Sequence, residues 1–233
     1  MRREDNSASM TLPTPTSFIL VHGAGSGPWV YDGWSNNFQN IAVRAIDLQE
    51  NLNIAAASMN DYADRIVTTI NSARQPAAIV GWSMCGLVAM LAAQHVKLHS
   101  LVLIEPSPPA EIQRFDERVH SSLGTFDPET VYGAFPPTIR SRPESSLARS
   151  QRKMGVSAPS LPARTLVIYG DEFRVGRGEA IVHFYKADAK YFPGKSHWDL
   201  LLDPSVRAAI STFLGTGKTD MPFRRIQTKS DSV

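Results

Sequence analysis

Short unbroken apolar runs alternate along this chain with longer stretches whose apolar residues recur at helical spacing. The first run, Phe18-Ile19-Leu20-Val21, is the kind that a strand buried on both faces produces. A loop of little side-chain bulk follows, His22-Gly23-Ala24-Gly25-Ser26-Gly27-Pro28, and then an expected helix over 29–38. The pattern next predicts a strand over 42–47 and a helix over 59–73, where Met59, Tyr62, Ile66 and Ile70 share one face. A strand over 77–80, an apolar helix over 84–95 and a strand over 101–104 continue the rhythm. It resumes with a strand over 165–169, a helix over 178–186, a short strand over 190–192 and a mostly helical 200–214 with Pro204 near its start. Strands and helices alternating in this way predict an α/β fold with a mostly parallel sheet.

Residues 107–162 break the alternation with many Pro, Ser and Arg residues and helical pieces over 110–123 and 144–154. They read as a small lid over one end of the sheet. Residues 1–17 read as a flexible leader, 18–215 as the domain, and 216–233 as a flexible basic tail. That tail holds Lys218, Arg224, Arg225 and Lys229 against Asp220 and Asp231, which accounts for the whole formal charge of +2. The remainder is close to neutral, which argues against a nucleic-acid face. No apolar run approaches the length of a membrane span, and the N-terminal residues lack the pattern of a secretory signal. Cys85 is the single cysteine, so no internal disulfide forms and a cytoplasmic setting is expected. His95 and His99 fall at a helix end and a strand start, a poor arrangement for one ligand face. Neither a metal nor a cofactor is expected.

The most informative segment is Val80-Gly81-Trp82-Ser83-Met84-Cys85-Gly86, between a strand and a helix. A serine at such a corner presents its hydroxyl above the sheet, with the free amides and positive end of the next helix beside it. That setting suits a nucleophile that carries an acyl group and sheds charge onto a nearby oxygen. Here the sequence resembles the α/β-hydrolase family, whose elbow is usually G-x-S-x-G. Through the spread from His22-Gly23 to Trp29 and Trp34 it loosely resembles the branch of small esterases and hydroxynitrile lyases. Cys85 stands at the elbow's second glycine position, one turn into the helix, so Ser83 rather than Cys85 is the candidate nucleophile. The resemblance implies a three-layer sandwich with a mostly parallel six-stranded sheet, lacking the family's first two strands. It also implies that the backbone amides of Ala24 and Met84 form an oxyanion hole, with His22 bracing the loop. His197, within Phe192-Pro193-Gly194-Lys195-Ser196-His197-Trp198, is the implied base.

The acid is less direct. The family's aspartate commonly lies three residues after a strand-end glycine; here the glycine is Gly170 and the matching residue is Phe173, which cannot orient an imidazole. A second family solution corresponds to Glu105, in Leu103-Ile104-Glu105-Pro106, where a lone carboxylate ending an apolar strand needs a partner. Glu105 is the favoured acid and Asp171 the alternative; Glu172 or no acid at all remains open, as does a salt bridge from Glu105 to a lid arginine. Trp82, Met84, Trp198 and Phe173 are candidate pocket walls. Trp29, Trp34, Phe115, Phe126, Tyr132 and Phe135 are further candidates. They favour a small-molecule substrate with an apolar or aromatic part. Arg140, Arg142, Arg149 and Arg152 read first as solvated lid surface and second as an attraction for an anion. Together these features lead to a serine hydrolase cleaving a small carboxylic ester, with lactones and thioesters in the same class. The alternatives are a cofactor-independent lyase or cyclase using the same pocket, and a non-catalytic receptor for a small ligand.

Overall fold

A computed structural model describes residues 14–216. The expected leader and basic tail fall almost wholly outside the described residues. Eight strands are formed among those residues: β1 (Ser17–Val21), β2 (Ala42–Ile46), β3 (Ala77–Trp82), β4 (Ser100–Ile104), the two-residue β5 (Thr125–Phe126) and β6 (Glu144–Ser145), β7 (Arg164–Tyr169) and β8 (Asp188–Tyr191). Six of them make one sheet in the order β2-β1-β3-β4-β7-β8, and every pairing in it is parallel. β5 and β6 pair antiparallel, apart from it. The helices are α1 (Met59–Ser72), α2 (Met84–Ala93), α3 (Ala110–Gln113), α4 (Pro128–Tyr132), α5 (Ser146–Met154), α6 (Ala180–Tyr185), α7 (Asp199–Leu202) and α8 (Pro204–Phe213). No helix among the described residues is long and apolar enough to cross a membrane.

Alternation along each buried strand divides the core into two layers. Ile19, Val21, Ile79, Leu101, Leu103 and Val167 face α1, α2 and α6 on one side. Phe18, Leu20, Val80, Val102, Ile104 and Leu166 face the segment around Trp34 and helix α8 on the other. The result is a three-layer sandwich. The register pairs Val21 with Gly81, Trp82 with Ile104, and Ile104 with Ile168. The C-terminal ends of the central strands therefore finish level, and His22, Ser83, Glu105 and Gly170 leave the same edge of the sheet. In open parallel sheets that edge is where ligands bind.

Four expected elements are corrected. Instead of one helix over 29–38, two short 3-10 turns form, Pro28–Tyr31 and Trp34–Asn37. Asp32 between them is extended and Gly33 has φ 78°, a left-handed conformation that no helix continues through. The helix expected over 110–123 stops at Gln113 because Arg114 turns to φ 70°. A π-helical turn, Arg174–Glu179, precedes α6. The stretch over 200–214 divides at Asp203, whose following proline disfavours a helical conformation there and whose side chain caps α8 by accepting from the Ser205 amide. The segment between β4 and β7 forms a lid-like insertion across the C-terminal edge of the sheet, and it contributes Tyr132, Phe135 and Arg152 to the cavity described next.

Candidate active site

Ser83 sits at the corner between β3 and α2 with φ 58° and ψ −131°. A non-glycine residue holds such a backbone only where its surroundings fix it. Here the Ser83 amide donates to the Ile104 carbonyl at 3.0 Å, and the Ser83 carbonyl accepts from the amides of Gly86 and Ser107 at 3.1 and 2.8 Å. The corner is also tightly packed. A Cβ on Gly81 would lie 2.8 Å from Ala89 Cβ, and one on Gly86 would lie 2.6 Å from Pro106 Cβ. Close approach thus falls on Gly81 and Gly86, which leaves position 85 room for a buried cysteine. Burial pushes the Cys85 thiol well above its ordinary value, and a protonated thiol locked in the core is a poor nucleophile.

Glu105 follows β4 and is fully buried. Its Oε1 accepts from the Gly170 amide at 2.8 Å, and its Oε2 lies 2.6 Å from His197 Nδ1. A carboxylate at that distance accepts a charge-assisted hydrogen bond from Nδ1–H, which leaves Nε2 as the proton-accepting nitrogen of the ring. The His197 ring also stacks on Trp82 with centroids 4.7 Å apart and meets Phe173 edge-on at 5.2 Å. Gly170 brings the histidine loop up to the sheet: a Cβ there would lie 2.1 Å from the Lys195 carbonyl oxygen. The neighbouring acids do other work. Glu172 accepts from the His197 backbone amide at 2.9 Å, so it holds the loop rather than the ring. Asp171 is exposed and engages the Tyr191 hydroxyl and the Gly194 amide.

The loop after β1 runs directly against the corner. A Cβ on Gly23 would lie 2.5 Å from the Trp82 ring and 3.1 Å from Ser83 Cβ. Ala24 and Met84 both line the cavity that holds Ser83 and His197. Sequence reasoning missed what fixes this loop. Glu144, a buried residue of the insertion, accepts from the Gly25 amide at 2.8 Å, from Tyr62 Oη at 2.5 Å and from the Ser145 amide at 2.8 Å. Arg142 donates its amide to the Gly25 carbonyl at 2.9 Å and its Nε to the Ser26 carbonyl at 2.8 Å, while its guanidinium pairs with Asp47. His22 braces the loop as expected. The Leu48 amide donates to its Nε2 at 3.2 Å, which leaves Nδ1 to donate to the Gly23 carbonyl at 2.9 Å.

A family model described as "Alpha/beta hydrolase family" matches residues 18–228. The chain belongs to the alpha/beta hydrolase family. No match was found among curated proteins. Among solved structures the chain is similar to a lipase-esterase related protein from Clostridium acetobutylicum ATCC 824, at 16% identity and a TM-score of 0.66, over 87% of this chain and 96% of that one. It is similar to the type II thioesterase BorB of the borrelidin biosynthetic cluster, at 17% identity and a TM-score of 0.61, over 89% and 94%. A pyrethroid hydrolase from Sphingobium faniae JZ-2 matches at 15% identity and a TM-score of 0.58, over 86% and 97%. At such identities the likeness is one of fold.

The cavity that holds Ser83 and His197 has a volume of about 240 Å³, at the small end for ligand sites. Trp82, Met84, Phe173 and Trp198 line it, joined by Tyr132 and Phe135 from the insertion. Phe135 packs edge-on against Trp198 at 4.7 Å. Other aromatic candidates lie elsewhere: Trp34 is buried against Tyr31 and Phe38, and Phe115 is exposed. The four candidate arginines of the insertion separate in the same way. Arg140 covers the Trp29 ring, Arg142 is tied to Asp47 and the loop carbonyls, and Arg149 covers Phe126. Arg152 lines the cavity, beside Arg177, which carried no signal in the sequence.

Proposed function

We propose that this hydrolase cleaves a small carboxylic ester through Ser83, His197 and Glu105. The observation that carries the reading is the 2.6 Å contact between His197 Nδ1 and the buried Glu105 carboxylate, in the cavity lined by Ser83. That contact favours the tautomer whose Nε2 accepts a proton. His197 Nε2 takes the Ser83 proton as Oγ attacks the substrate carbonyl carbon. The amides of Ala24 and Met84 hold the resulting oxyanion, a contribution of roughly 3 kcal/mol for each donor. The tetrahedral intermediate collapses, the C–O bond to the leaving group breaks, and His197 returns the proton to the departing alcohol. Water, deprotonated by His197, then attacks the acyl-serine; the bond to Oγ breaks, His197 returns the proton to Oγ, and the carboxylic acid leaves. Lactones and thioesters react by the same steps.

A fluorophosphonate tests the reading. It should label Ser83, abolish ester turnover, and fail to label Ser83→Ala; His197→Ala should label and turn over at least about a thousandfold more slowly. Turnover of 4-nitrophenyl acetate by Ser83→Ala at the parent rate would overturn the proposal. Turnover that survives complete labelling would point instead to a reaction without an acyl-enzyme.

A further inference from the structure

Resting on that reading, we infer that the substrate is a monoanion, an ester whose far end carries a carboxylate held between Arg152 and Arg177 at the mouth of the cavity. Both arginines line the cavity that contains Ser83 and His197. Both also line an adjoining cleft of about 550 Å³, together with Glu172 and Phe173. They therefore stand where the two spaces meet, with the reacting serine on the inner side. Neither guanidinium forms an ion pair with a carboxylate among the described residues, although Arg65, Arg118, Arg142, Arg164 and Arg174 each have such a partner.

Arginine that has been partly removed from water and lacks a counter-charge is costly to hold. Burial pulls Arg152 and Arg177 below their ordinary values; Arg149 adds to the effect at Arg152, and Arg152 adds to it at Arg177. Arg177 is held in place over the Phe173 ring, 3.8 Å from its centroid. The Gln113 side chain fixes the Arg152 backbone by donating to its carbonyl at 2.7 Å. Two planar guanidiniums, one of them pre-positioned, match a carboxylate. Nearby carboxylates offset part of this charge, which favours a guest with a single carboxylate over a polyanion. Glu172 is on the same wall, and Glu105 attracts Arg177 from behind His197, while Arg149 and Lys153 lie behind Arg152 on α5. A neutral ester with the same carbon chain would leave the guanidiniums unpaired.

The test uses matched 4-nitrophenyl esters: the monoesters of glutarate, adipate and pimelate against the neutral valerate, hexanoate and heptanoate. The wild-type chain should favour at least one anionic member by about 10- to 100-fold in kcat/KM, through KM. Arg152→Met and Arg177→Met should each cut that ratio by about tenfold or more, Arg177→Lys should cut it less, and Arg140→Met, remote from the cavity, should leave it unchanged. Raised salt should narrow the preference. A wild-type preference for the neutral esters, or a ratio that survives in the Arg152→Met/Arg177→Met double variant with an intact thermal melt, overturns the inference. Fluorophosphonate labelling of Ser83 separates the two proposals: labelling with neutral-ester turnover but no charge preference removes the anion site alone. If no ester turns over, calorimetric titration with monomethyl adipate, a monoanion, decides the anion site, with binding lost in the double variant supporting it and no binding by the wild-type chain overturning it.

Discussion

Two buried glutamates hold the two sides of the site, and they do so by different physics. Glu105 ends a central strand, and Glu144 begins the antiparallel pair with Phe126 in the insertion. Each is within about one per cent of complete burial, so each needs its oxygens satisfied. Glu144 meets three donors: the amides of Gly25 and Ser145 and the Tyr62 hydroxyl. Burial, reinforced by Glu144 itself, holds the Tyr62 phenol far above its ordinary value, so it remains a donor at every working pH. Glu105 meets one amide and one imidazole. The imidazole alone among these partners gains a proton during the proposed reaction. The charge of Glu105 is therefore coupled to the transition state, whereas Glu144 fixes the position of a loop.

Glu105→Gln should break this comparison most visibly. The Gly170 amide needs an acceptor, so the glutamine oxygen stays there and the NH₂ group turns to His197 Nδ1. The ring then carries its proton on Nε2, the wrong nitrogen for receiving the Ser83 proton. A fall in kcat of about 10²- to 10⁴-fold is expected, with the fold intact by circular dichroism. Stopped-flow acylation measures it, and a loss under tenfold would put the charge of Glu105 outside the reaction. Glu144→Gln should reverse the emphasis. Its NH₂ group accepts nothing, so either the Gly25 amide or the Ser145 amide and Tyr62 hydroxyl lose their acceptor, which costs about 1–3 kcal/mol of stability in urea unfolding. A loosened loop should lower kcat about tenfold, because the Ala24 amide is no longer held in place. Equal kcat losses in the two variants would erase the distinction.

The same pair explains what the sequence reveals. Glu105 is legible because it is a lone charge at the end of Leu101-Val102-Leu103-Ile104, a run that must be buried on both faces. The strands and α1 are legible for a similar local reason, their apolar period; in the structure a capping box formed by Ser58 and Asp61 closes the start of α1. Glu144 is a lone acid in Arg142-Pro143-Glu144-Ser145, and nothing local distinguishes it from a solvated residue. Its role depends on Gly25, 119 residues earlier in the chain. Arg177 is equally silent, since its position follows from a π-helical turn rather than from a regular period. The expected helix over 29–38 failed for a further reason: the apolar spacing there is real, but Gly33 spends its freedom on a left-handed turn.

The acids near Glu105 sharpen the comparison at smaller scale. Asp171→Asn should change kcat by less than about threefold, because its carboxylate holds Tyr191 and Gly194 in an exposed turn rather than the imidazole. Steady-state turnover checks it, and a loss matching that of Glu105→Gln would transfer the acid's role to Asp171.

The smallest effect should appear in acid, on the Glu144 side. Asp47 supports that side through Arg142. Partial burial alone would raise its carboxyl, but the Arg142 guanidinium and the Gln49 amide, both donating to it, overcome this and hold it far below the ordinary carboxylate value. A depressed folded value means that its contribution is fully present above the unfolded value of 3.8 and declines as pH falls below it. Asp47→Asn should therefore reduce stability at neutral pH and flatten its slope below about pH 4. Urea midpoints measured from pH 7 down to the onset of acid unfolding check this. An unchanged slope would mean that Arg142 holds the loop through the Gly25 and Ser26 carbonyls without help from Asp47, leaving Glu144 as the charged anchor of that side.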